Sequence, residues 1–342
     1  MQPDLIQPDG SDIPAELVSA LLRSAGGSAP RFALENHGQF SNDLAVARLD
    51  DGRRLVVKRG RYEWSASRFR AARSAGGLLR EAGVTAPCSL DLPSALEAHA
   101  LDAYWRIELP TLAELWPALD AAERGSAMRS LGELVRRVHS APVSGHGGLG
   151  GGAVSLSQAL AGDLGGRLMP AVQAVWPCGV PLVDVLLGTI PEAVRRAPED
   201  GVLLHGDLHI GNVLCERAAG TVRCVGLLDL ECAHAGPRES DLARLAVLHT
   251  DLFQMGIEGP WLDAVLDGYA DPLDPVLLAY YTVYHLVQLG FHSAWVGHDV
   301  HAASVAGAAR AAVAAAPGFW RGDTAALRAH AAPGEVAACA CA

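Results

Sequence analysis

Lysine is almost absent from this chain. Lys58 is the single lysine among 27 basic side chains. A sequence that uses arginine nearly everywhere draws attention to the one place where it keeps a compact, flexible ammonium. Long apolar runs are missing too. None reaches the roughly 18 residues of a membrane-spanning helix, and the Ala-rich stretch 302–316 is broken by Arg310, so it is expected as a packed helix. The opening residues MQPDLIQPDG are acidic and hold no apolar segment, so no secretory signal is expected and the cytoplasm is the expected location. Cysteine is sparse: seven residues, an odd number scattered over 342, do not make a disulfide framework. Cys339 and Cys341 lie in a small-residue tail, ACACA, and no cysteine has sequence neighbours that would activate a thiolate. Charged residues make up only 19%, while half the chain is hydrophobic, which excludes a disordered chain and leaves material for one large domain or two lobes.

The net charge of −11 is unevenly spread, with −1 over residues 1–105 and −10 over 106–342. Such a field repels nucleic acid and attracts a cationic small molecule.

The most informative stretch runs from Val202 to Ala243. The apolar VLL fixes where a polar turn begins, and Gly206 and Gly211 let the backbone bend through it. NVLCE and RCVGLLDL, separated by RAAGTV, read as a β-hairpin that returns Asp229 to the neighbourhood of Asp207 and Asn212. Two oxygen ligands and a separate carboxylate would then face one space. That set suits phosphoryl transfer, in which Mg²⁺ takes hard oxygen ligands and another carboxylate orients the attacking hydroxyl. Asp207 and Asn212 also keep the five-residue step of a kinase catalytic loop. Two other readings compete. Asp, Asn and Gly between apolar runs can be plain turn chemistry. His205, Asp207, His209 and His234 could be zinc ligands, but His205 and His209 would share a face only on a helix, which the flanking glycines oppose.

These residues resemble the aminoglycoside phosphotransferase family of antibiotic and small-molecule kinases. The resemblance rests on HGDLHIGN from His205 to Asn212, LDLE from Leu228 to Glu231, and GPRESDLA from Gly236 to Ala243, in that order. It implies an α+β, protein-kinase-like fold of two lobes: a small antiparallel β-sheet lobe for the nucleotide over 1–105, and a larger, mainly helical catalytic and substrate lobe over 106–342. The implied activity is ATP-dependent O-phosphorylation of a small-molecule hydroxyl, with an aminoglycoside or other antibiotic as the favoured acceptor and a sugar, nucleoside or amino alcohol as the alternative. A nucleotidyltransferase and a non-catalytic nucleotide-binding protein are the readings outside kinase activity. No nucleic-acid or membrane partner is implied.

The resemblance also distributes roles. Asp207 would orient and deprotonate the acceptor, Asn212 and Asp229 would hold Mg²⁺, and Lys58, following LVV, would reach the phosphates. The turn HGQFSND would cover the phosphates with donors from Ser41 and Asn42, and the linker around Glu108, Leu109 and Pro110 would meet the adenine edge through its backbone. Glu231 is expected near the acceptor or the metal, and Asp251 among the helices that receive the acceptor. One element departs from the pattern. The helix expected over 64–82 should carry a glutamate for Lys58, but the aligned position holds Ala71 or Ala72, and Gly76 and Gly77 weaken the helix itself.

Elsewhere, 14–26 reads as a helix, 32–60 as three antiparallel strands, 102–112 as a strand entering the linker, and 120–140 as a core helix carrying Met128, Leu131, Leu134, Val135 and Val138. The glycine-rich 143–155 is expected as a flexible surface connection, and 156–197 as helices interrupted at Pro177, Pro181 and Pro191. Ser240 or Asp241 is expected to cap the helix DLARLAVLH, and His139 to be structural.

Overall fold

The computed structural model describes residues 13–26, 31–38, 42–92, 100–149, 152–218, 220–248 and 261–315. Its first layer is an antiparallel sheet in the order β1 (Phe32–Gly38), β2 (Asn42–Leu49), β3 (Arg54–Gly60), β4 (Leu101–Trp105). The two-residue period of a strand divides this sheet. Ala45, Ala47, Leu55, Val57 and Ala103 pack under α1 (Ala15–Gly26) through Val18, Leu21 and Leu22. The alternate residues Val46, Val56 and Tyr104 pack on the other face, and Lys58, two residues beyond Val56, belongs to that face. Register places Lys58 opposite Asp102 of β4 and Leu44 of β2.

The helix α2 (Ser65–Glu81) forms across Gly76 and Gly77. Gly76 has a packing reason: a Cβ there would lie 2.8 Å from the carbonyl oxygen of Pro87. The helix packs beside the turn Leu230–Cys232, burying Phe69, Ala75 and Leu79.

The larger, helical part follows the linker. A short helix α3 (Leu112–Leu115) leads to α4 (Ala121–His139), whose first turn is closed by a reciprocal capping box between Asp120 and Glu123. Met128, Leu131, Leu134, Val135 and Val138 are all buried on α4. After α5 (Leu156–Ala161), a π-helical turn and α6 (Met169–Val175), α7 (Val180–Arg196) runs straight through Pro191. The expected interruption there does not occur. Leu182, Val183, Val185, Leu186, Ile190 and Ala193 are buried along one side of α7, and that packing outweighs the ~3 kcal/mol a helix-interior proline costs. By length and apolar composition, Pro177–Arg196 would also suit a membrane span; here its apolar side lies in the helical core.

The glycine-rich connection is more ordered than expected. Its β5 (Gly147–Gly148) pairs with β9 (His234–Gly236), which also pairs with β6 (Val202–Leu204). The hairpin β7 (Val213–Ala218) and β8 (Thr221–Leu227) is antiparallel with a bulge at Leu214/Cys215. Among the described residues, the lobe continues with α8 (Glu239–Leu248), α9 (Trp261–Tyr269), α10 (Pro275–Trp295) and α11 (Asp299–Ala315).

Candidate active site

The short strand β6 buries Leu203 and Leu204 and delivers His205 to the polar loop. Gly206 then turns with φ +78°, and a Cβ on it would fall 2.2 Å from the Cys232 carbonyl oxygen, so a side chain is excluded there. Asp241 braces the turn from below. Its carboxylate accepts from the backbone N–H of His205 at 2.7 Å and of Gly206 at 2.9 Å, and faces His139 Nε2 at 3.4 Å. This corrects the capping role expected for Asp241. Helix α8 begins at Glu239, and Asp241, already inside the first turn, spends its oxygens on the loop. Burial works to raise its pKa, but His139, His205 and the donated N–H bonds outweigh it and hold the group well below the usual carboxylate range. His139 is structural, with Nδ1 2.9 Å from the Tyr269 hydroxyl. His205 is also spent locally, with Nε2 on the Leu228 carbonyl at 2.8 Å and Nδ1 accepting from Asp207 N–H at 3.2 Å.

Asn212 closes the loop by donating Nδ2 to the Asp207 carbonyl at 3.1 Å. Its own carbonyl accepts from Leu228 N–H at 2.8 Å, which fixes the end of the hairpin beside the loop. Asp229 follows in a left-handed conformation, φ 55° and ψ 59°. A non-glycine residue there carries strain of the order of 1–3 kcal/mol, a cost that tends to gather at functional positions.

Lys58 has its partners here and not on α2. Nζ lies 2.8 Å from Asp229 Oδ1 and 2.6 Å from Glu231 Oε1, while Asn42 Nδ2 donates to Glu231 Oε2 at 2.7 Å. Glu231 is thus found on the Lys58 side of the cleft, held by an amide and an ammonium. Burial alone would lower the Lys58 pKa, but Asp229, Tyr104 and Glu231 more than offset it and the ammonium is raised above its ordinary value. Burial, then the neighbouring Asp229 charge, push Glu231 up, whereas Lys58 overcomes burial at Asp229 and holds it low. Helix α2 carries the opposite charge from the one expected: Arg73 Nη1 sits 3.7 Å from Asp102 Oδ1, the strand residue paired with Lys58.

Asp207 has a partner that the motif reading missed. Arg244 Nη2 donates to Asp207 Oδ1 at 2.6 Å. Burial would raise the Asp207 pKa, but Arg244, His209 and His205 outweigh it and keep the carboxylate ionised below its ordinary range. The signal was present in DLAR, because Asp241 and Arg244 are three apart on one helix face; one braces the loop and the other reaches the base.

The linker side chain Glu108 is exposed and paired with Arg54. The Pro110 carbonyl accepts from Cys215 N–H at 2.9 Å. Ser41 and Asp251 lie outside the described residues.

A four-stranded sheet joined to a helical lobe, with an ammonium, two carboxylates and an amide meeting where they join, defines a kinase-like phosphotransferase. The model of the phosphotransferase enzyme family, APH, matches residues 33–280, and the chain belongs to that family, whose members transfer phosphate to a hydroxyl of a small molecule. Solved structures share the fold. A ternary complex of a thermostable mutant of aminoglycoside phosphotransferase APH(4)-Ia with ADP and hygromycin B is 19% identical, with 87% of this chain and 98% of that one covered and a TM-score of 0.62. The GDP and kanamycin complex of APH(2")-IIia is 13% identical over 87% and 98%, with a TM-score of 0.60. Macrolide 2'-phosphotransferase type I is 15% identical over 86% and 97%, with a TM-score of 0.56. No curated protein matches the chain.

Proposed function

We propose that this chain moves the terminal phosphoryl group of ATP to a hydroxyl of a small molecule, with Mg²⁺ held by Asn212 and Asp229, and that the sheet lobe to about residue 105 takes the nucleotide. The observation that carries the reading is the meeting of Lys58, Asp229 and Glu231 beside the loop of Asp207 and Asn212. The oxygens fit the ion. Asn212 spends its amide nitrogen on the loop, which leaves Oδ1 for a ligand, and Asp229 spends Oδ1 on Lys58, which leaves Oδ2. Both are the hard donors that Mg²⁺ prefers. A bound Mg²⁺ would neutralise charge on the phosphates.

The protein groups do the rest. Lys58 would bind phosphate oxygens, kept in place by Glu231, itself latched by Asn42. Asp207 would accept the proton of the attacking hydroxyl on Oδ2, because Arg244 occupies Oδ1. The backbone of Glu108 and Leu109 would meet the adenine edge.

For the acceptor, the complexes of fold neighbours with hygromycin B and kanamycin and the net charge of −11 support an aminoglycoside or similar antibiotic. A second reading, an uncharged sugar- or nucleoside-like acceptor, is favoured by the Arg244 guanidinium already paired with Asp207.

The test is incubation with ATP, Mg²⁺ and a panel of both classes, read by mass spectrometry. Gain of a phosphoryl group is expected; gain of a nucleotidyl group would instead indicate a nucleotidyltransferase. Asp207→Ala should lower transfer by about 10²–10⁴-fold with ATP binding retained, and undiminished turnover in that variant would reject the assignment.

A further inference from the structure

Resting on the phosphotransferase reading, we propose that His209 is a positioning residue for the divalent metal: its Nε2 takes the second amide hydrogen of Asn212, so that Asn212 Oδ1 is left for the ion.

A metal that takes one oxygen from an asparagine needs that amide held the right way round, because its two ends are alike in shape and opposite in what they offer. Asn212 Nδ2 meets two groups. It lies 3.1 Å from the Asp207 carbonyl oxygen and 3.1 Å from His209 Nε2. A primary amide nitrogen has two hydrogens, and these two contacts use both. Turned round, Oδ1 would face the Asp207 carbonyl, oxygen against oxygen. The backbone thus rejects the wrong orientation and the imidazole completes the right one.

The ring can do this in one tautomer only. A neutral imidazole accepts at a single nitrogen, and His209 has a second donor nearby, the Gly211 N–H, 3.1 Å from Nδ1. Were Nδ1 the acceptor, Nε2–H would point at the Asn212 amide hydrogens. With the proton on Nδ1 the conflict moves to Gly211, a half-buried residue where water can serve the N–H instead. The tautomer compatible with a metal on Asn212 is therefore the one protonated at Nδ1.

The glycine belongs to the same device. Gly211 lies in the 3₁₀ turn Ile210–Asn212 and does not take a left-handed φ, so the backbone alone would accept a side chain there. The ring would not. A Cβ on Gly211 would fall 2.9 Å from His209 Cε1 and 3.0 Å from Nδ1. The imidazole lies directly over the glycine, and that seat brings Nε2 within reach of Asn212. His209, Gly211 and Asn212 in HIGN are thus a ring, its seat and the amide it holds, which gives the glycine a reason other than the bend expected from sequence.

The test uses the full chain and Mn²⁺ as the probe of the divalent site, with free Mn²⁺ read by electron paramagnetic resonance in the presence of a non-hydrolysable ATP analogue. His209→Asn keeps an acceptor near the Nδ1 position only, and His209→Gln keeps one near Nε2. His209→Ala and His209→Asn should each weaken Mn²⁺ binding by about 10- to 100-fold, the usual effect of removing a group that orients a metal ligand, whereas His209→Gln should keep most of it. Affinity for the analogue without metal should stay as in the native chain. Gly211→Ala should weaken Mn²⁺ binding in the native background and do nothing further where His209 is already alanine. Recovery by asparagine and not by glutamine would make His209 a cap of its own turn and overturn the proposal. So would native Mn²⁺ affinity in His209→Ala, equal Gly211→Ala effects in both backgrounds, or a joint loss of metal affinity, analogue affinity and thermal stability. Each of these leaves the phosphotransferase reading in place; a native chain that adds nothing to the analogue's own Mn²⁺ affinity would remove that reading instead.

Discussion

Lys58 is one cation between two carboxylates, whereas Asp207 is one carboxylate among a guanidinium and imidazoles. On the Lys58 side the balance is negative by one charge, and triphosphate, itself anionic, cannot settle there without a further cation. The proposed Mg²⁺ would offset that surplus. On the Asp207 side the carboxylate is neutralised before any acceptor arrives, so a cationic acceptor gains little from it. One cleft thus carries a surplus carboxylate at one end and a paired one at the other.

The strongest way to break this contrast is Glu231→Gln. The carboxylate serves two donors at once, Lys58 on Oε1 and Asn42 on Oε2. Glutamine offers one acceptor and turns its amide nitrogen toward a second donor. Loss of a charged hydrogen bond of about 1.5–3 kcal/mol predicts a fall of roughly 10- to 100-fold in kcat/KM for ATP, with the acceptor KM little changed. If steady-state kinetics instead showed the acceptor KM rising alone, Glu231 would belong to the acceptor, as the motif resemblance first suggested.

Glu231 marks the limit of what the sequence discloses. Lys58, Asp207, Asn212 and Asp229 could be named because each sits in a short motif whose turn or strand is set by its immediate neighbours. The partner of Lys58 could not, since a glutamate 173 positions away replaces the helix residue that the pattern anticipates, and only the hairpin and the α2 packing bring it there. Asp241 was assigned to a helix cap because local capping chemistry is readable and a loop 35 residues earlier is not. Proline in α7 was weighed by backbone cost alone, while the buried side of that helix decides. Arg244 was readable only through its spacing from Asp241, three residues earlier on α8, and nothing in that spacing names Asp207 as its partner. The acceptor side was accordingly the less legible half.

A smaller effect should sharpen the contrast at Asp207. Arg244→Met leaves burial unopposed by the guanidinium, so the Asp207 pKa should rise. The sign follows from the role: a base works as carboxylate, its depressed pKa keeps it ionised well into acid, and raising that pKa makes activity fall at higher pH. The acid limb of kcat/KM is expected to move to higher pH, read as a pH profile alongside a folding control. An unmoved limb would mean that Arg244 does not set the ionisation of Asp207.

The smallest effect is expected at the linker, where the comparison predicts almost nothing. The Glu108 side chain is 53% exposed and engaged with Arg54 at the surface, away from the charges that distinguish the two ends of the cleft. Exposed pairs of this kind contribute about 0–1 kcal/mol, and adenine would be met by the backbone of Glu108 and Leu109, which a side-chain truncation leaves in place. Glu108→Ala should therefore change the KM for ATP by less than about twofold, with a correspondingly slight change in melting temperature. A KM for ATP that rose severalfold at constant stability would show that the side chain, and not the backbone, holds the nucleotide. The ATP end of the cleft would then extend to a third carboxylate, and its negative surplus would be larger than the Lys58 cluster alone provides.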